Sequence, residues 1–163
     1  MEGWKRLSFR ANDCFIDRAR QFCENKVAED FQDEYNCCPM EVFYQSNDGK
    51  NYKVLLLGQH FQTKEFKCFS SITFVPDGKR PQPELKKETF KSLDGTACTL
   101  SADREAKLKG CIKHFFKGEK DFTPVKYFEN AIEGGNVYVL KVDQQYVGVY
   151  ELGDDIQVDC VLN

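Results

Sequence analysis

The chain writes one local pattern twice, and that repetition constrains its fold more than any other feature. Asn12 to Tyr35 carries apolar residues at helical spacing; the turn Ser46-Asn47-Asp48-Gly49 follows, then the run Asn51-Tyr52-Lys53-Val54-Leu55-Leu56-Leu57. Ser101 to Lys117 repeats the helical spacing, followed by Glu133-Gly134-Gly135 and the run Asn136-Val137-Tyr138-Val139-Leu140-Lys141-Val142. An amphipathic helix must bury its apolar stripe, and a β-hairpin must cover at least one face, so laying the one on the other satisfies both. The pattern predicts an α+β fold of two modules, each one helix wrapped by an antiparallel sheet of about four strands. The expected modules cover residues 1–95 and 99–163, with Ser92 to Ala97 as the candidate linker.

The individual elements follow from turn and capping chemistry. Asn12 or Asp13 can cap the first helix, whose stripe comprises Phe15, Ala19, Phe22, Cys23, Val27 and Phe31. Pro39 cannot continue a helix, so a strand is expected from Met40 to Tyr44. Further strands are expected over Asn51 to Gln59, Phe66 to Val75 and, as a charged edge, Leu85 to Phe90. In the second half Ser101 caps a helix with stripe Leu108, Cys111, Ile112 and Phe115, and Gly118 stops it. Strands then run over Val125 to Ala131, Val137 to Val142, Tyr146 to Leu152 and Ile156 to Leu162.

Composition narrows the function classes. Fourteen Phe in 163 residues supply a large core even to thin modules, since each buried ring removes ~150–250 Å² from water. The net charge of −3 arises from interleaved signs, which argues against nucleic acid or an anionic membrane as partner. No run approaches the ~20 apolar residues of a membrane span. The first residues lack the apolar core of a signal peptide, and no Asn-x-Ser/Thr acceptor occurs. The expected location is the cytoplasm, or the exterior if a signal has been removed. No phosphate loop or cofactor motif is present. With no Cys-x-x-Cys and with His60 and His114 as the only histidines, zinc is not expected. Cys111 and His114 stand at helical i, i+3 spacing, but Cys111 belongs to the apolar stripe, so catalysis is not expected either.

Eight cysteines, at 14, 23, 37, 38, 68, 98, 111 and 160, leave two readings open. They are buried apolar thiols of a reducing compartment, or they form disulfides. For the latter, Cys68 and Cys98 flank one long excursion, and Cys111 and Cys160 belong to one module.

Helix, strand, Gly turn, long strand, turn, long strand is the element order of the cystatin superfamily, and both runs Asp48 to Leu56 and Gly134 to Val142 resemble its hairpin strands. Two such modules in tandem resemble latexin-type carboxypeptidase inhibitors. The resemblance is closest over residues 10–95, where Gly49-Lys50-Asn51-Tyr52, Lys64-Glu65-Phe66-Lys67-Cys68, Ile72-Thr73-Phe74-Val75-Pro76 and Pro83-Glu84-Leu85 follow the family's order. The second module looks trimmed. Cystatins that inhibit papain-like proteases use a Gln-x-Val-x-Gly turn. Gln45-Ser46-Asn47-Asp48-Gly49 keeps the Gln and Gly but puts polar Asn47 at the apolar position; Ala131 to Gly135 keeps only Gly135 and adds Glu133. A carboxylate entering an apolar cleft would be desolvated without a partner, so both turns read first as hairpin turns needing positive φ at Gly49 and Gly135.

The resemblance implies a proteinase inhibitor acting by occlusion. Its first form blocks a metallocarboxypeptidase through the linker, Leu93 to Thr99, and neighbouring strands. Its second blocks a papain-type protease through Gln45 to Gly49 and an N-terminal arm around Trp4. A third reading is a non-inhibitory binding protein that reuses the fold.

Overall fold

A computed structural model describes residues 3–7, 14–79 and 81–163. The protein is α+β, with two helices and two antiparallel sheets among the described residues. By its internal contacts the chain divides into two compact units, Met1–Leu93 and Asp94–Asn163.

The first unit holds β1 (Trp4–Arg6), α1 (Cys14–Phe31), β2 (Tyr35–Ser46), β3 (Asn51–His60), β4 (Phe66–Phe74) and β5 (Glu84–Asp94), with the sheet in simple sequence order. Ile16, Ala19, Cys23 and Val27 are the buried residues of α1, spaced by three or four, which places them in one stripe. They pack with Phe43, Tyr52, Val54, Leu56, Phe69 and Val75 in one apolar cluster. Burying an aliphatic side chain this completely stabilises by ~1.5–3 kcal/mol, so the stripe is the main reason α1 is helical rather than its modest local propensity. Phe15, Phe22 and Phe31, expected in the stripe, are only half-buried at its margins. The capping expectation at Asn12 and Asp13 lies outside the described residues.

Three features depart from the expected boundaries. The α1 helix ends without glycine: Gln32 and Asp33 adopt φ of 58° and 57°, and the Asp33 amide reaches back to the Ala28 carbonyl at 3.0 Å. Asp tolerates this left-handed geometry better than a branched residue would. Next, β2 begins at Tyr35 and passes through Pro39. Pro39 pairs with Leu56 beyond the Tyr44 to Ser46 stretch that β1 covers, where among the described residues no strand lies on the other side of β2. A proline is tolerated on an edge strand because no ladder bond is lost on the open side, and the register shift between Pro39 and Phe43 absorbs its geometry. Finally, β5 continues through Asp94, so half of the expected linker is strand. With the three-residue β1 this makes five strands rather than about four.

The second unit holds α2 (Ala102–Phe116), β6 (Thr123–Ile132), β7 (Gly135–Val142), β8 (Gln145–Leu152) and β9 (Asp155–Leu162), again in sequence order. Ser101 caps α2 by accepting the Arg104 amide. Leu108 and Ile112 are its buried residues and pack on Tyr138, Leu140, Val142, Val147 and Val149. Phe115, expected in the stripe, is exposed. The left-handed residue that ends α2 is Lys117, with φ of 57°, and not the expected Gly118. Gly118 instead donates its amide to the Lys113 carbonyl.

Candidate functional site

The turn between β2 and β3 is held by its own polar side chains. The Gly49 amide donates to the Ser46 carbonyl at 2.9 Å, with Gly49 at φ +77°, where a side chain would be strained. Buried Ser46 accepts the Asn51 amide and donates its hydroxyl to Asp48, whose carboxylate also accepts the Lys50 amide at 3.0 Å. The Ser46 hydroxyl first, and the Lys50 amide second, hold the Asp48 carboxyl below its ordinary range. Gln45 is half-buried, its side-chain amide donating to the Tyr52 hydroxyl at 2.9 Å. Asn47 and Asp48 stand exposed at the tip.

Two other segments are tied to this turn. On one side β1 pairs Trp4 with Ser46 and Lys5 with Gln45, and the Asn47 amide donates to the Gly3 carbonyl at 2.9 Å. Trp4 is half-buried, with Lys53 Nζ 4.6 Å from its ring centre. On the other side, the segment after β4 returns to the turn: the Val75 amide donates to the Lys50 carbonyl at 2.7 Å, and Lys50 Nζ meets Asp77 at 2.7 Å. That ion pair is exposed and contributes little to stability, so the backbone bond does most of the tethering. The arm, the turn and the Val75–Gly78 segment therefore form one edge at one end of the first sheet. Trp4, Gln45, Asn47 and Gly49 are all on it.

The remaining candidate residues lie elsewhere. Leu93 is half-buried near the end of β5, and Thr99 is exposed ahead of α2 in the second unit. Between them Thr96 makes two backbone bonds to Tyr127, at 2.8 and 3.0 Å, so the expected linker is an extended strap fixed to β6. Gly95 lies against the Phe128 ring, where a Cβ would come within 2.9 Å.

Glu133 and Gly135 occupy the β6–β7 turn, but the expected positive φ at Gly135 is not found there. Glu133 (φ 48°) and Gly134 (φ 81°) carry the left-handed geometry. The Asn130 side chain accepts the Gly134 amide at 2.8 Å, and the Asn130 amide in turn donates to Asn136. Gly135 is required for space: a Cβ there would lie 2.0 Å from the Tyr150 hydroxyl oxygen, which donates to the Ile132 carbonyl.

All eight cysteines stand as thiols in the structure. Cys68 and Cys160 are buried, and Cys98 and Cys111 are partly so. Burial pushes the Cys111 thiol up to about 11, with a smaller opposing effect from its hydrogen bond to the Val158 backbone. His114, its expected helical neighbour, is exposed. Among the described residues no group of three or more His, Cys, Asp or Glu is arranged to hold a metal ion. No helix among them is long and apolar enough to cross a membrane.

The contribution of Val75 to Gly78 to the edge is the part that sequence reasoning missed. Pro76-Asp77-Gly78 marks a turn, but nothing in its residues specifies that Asp77 reaches Lys50, 27 positions away. No family model, no curated protein and no solved structure matches this chain.

Proposed function

We propose that this protein is a proteinase inhibitor built from two cystatin-like modules and acting by occlusion, with a metallocarboxypeptidase as the target class. The observation that carries the reading is the edge at the end of the first sheet, where three separate segments are tied by backbone hydrogen bonds before any partner arrives. A surface ordered in advance loses little conformational freedom on docking, which is where much of the cost of association lies. The chemistry of the edge favours a rim contact over insertion. Its tip presents Asn47 and an Asp48 carboxylate held in its charged form, and neither gains by entering an apolar cleft. The strap around Thr96 supplies a second exposed and fixed segment of the kind an occluding contact needs.

A papain-type target is the second reading, favoured by one observation: Gln45, Gly49 and Trp4 lie side by side on the same edge. Titration of the intact chain against one protease of each class separates them. Removal of the residues before Phe9 takes β1 out of the edge, so it should weaken carboxypeptidase inhibition; inhibition unchanged by that truncation would move the contact to the strap around Thr96 instead.

A further inference from the structure

We draw no further inference here: the strongest candidate, the groove between α1 and β5 with Phe22, Pro83 and Leu85 on its walls, carries nothing because no feature of the structure shows what would cover it.

Discussion

Replacing Gly135 by alanine separates the two reasons a hairpin turn can demand glycine. The new Cβ would sit 2.0 Å from the Tyr150 hydroxyl oxygen and 2.1 Å from the adjoining ring carbon, against an ordinary contact of 3.4–4 Å. Tyr150 is 1% exposed, so its ring has no solvent into which it can swing. Either the core strains, at ~1–3 kcal/mol, or the ring shifts and the Ile132 carbonyl also loses its hydrogen bond, worth ~0.5–1.5 kcal/mol. The expected cost is about 2–4 kcal/mol. Gly134→Ala next door meets nothing within 4 Å and carries only the left-handed backbone penalty at φ +81°, ~1–2 kcal/mol. Urea titration followed by hydrogen exchange of the β7 amides reports on the second unit alone and avoids assuming that both units unfold together. A double-mutant cycle sharpens the test: Tyr150→Ala removes the obstacle, so Gly135→Ala added to it should cost less than ~0.5 kcal/mol. If Gly135→Ala costs no more than Gly134→Ala, or if the costs of Gly135→Ala and Tyr150→Ala simply add, the packing argument is wrong.

Three further outcomes follow from the same physics. His60 Nδ1 accepts the Gln62 and Thr63 amides at 3.1 and 3.2 Å while Nε2 meets Glu34 at 3.0 Å, so His60→Ala should destabilise the first unit by ~1–2 kcal/mol. His60→Asn, which restores an acceptor near Nδ1, should recover part of that loss in denaturant titration. Asp48 has a depressed carboxyl in the folded turn, so its stabilising contribution is present above the unfolded value near ~3.9 and is lost as pH falls through the lower folded value. Side-chain carboxyl NMR should find that midpoint below the ordinary aspartate range, and Ser46→Ala should raise it; an unchanged midpoint in Ser46→Ala would remove the hydroxyl as the cause. Under native alkylation exposed Cys14 should label first, whereas buried Cys23 and Cys68, with Cys23 pushed up to about 11 by burial, should label only on unfolding. Mass mapping with and without denaturant checks the order, and fewer than eight thiols in denatured, non-reduced protein would show that disulfides form.

The sequence signals that proved legible were those with a strong period or strong turn chemistry. The Ser101 cap, the Asp48-Gly49 turn and the run Val54 to Leu57 all lie where local chemistry places them. What escaped was decided by tertiary context. Pro39 reads as a breaker, yet the strand accommodates it because β1 pairs only with Tyr44 to Ser46 and, among the described residues, that part of β2 is an edge. Trp4 to Arg6 are too few to announce a strand and gain one only from the β2 backbone. Gly135 was legible as essential but not for its reason, because the crowding comes from Tyr150, 15 residues along the chain. In the candidate edge, Gln45 and Gly49 stand out in the sequence only through the resemblance to the Gln-x-Val-x-Gly turn, whereas the Lys50–Asp77 pair depends on how the segment after β4 returns.

The central claim rests most directly on a titration of metallocarboxypeptidase activity with the intact chain. The account predicts a progressive loss of activity that saturates near equimolar protein, leaves the chain uncleaved and weakens when the edge is disturbed by Gly49→Val, a branched residue forced to φ +77°. Full activity of both a metallocarboxypeptidase and a papain-type protease at micromolar protein would contradict it and leave the fold serving another partner.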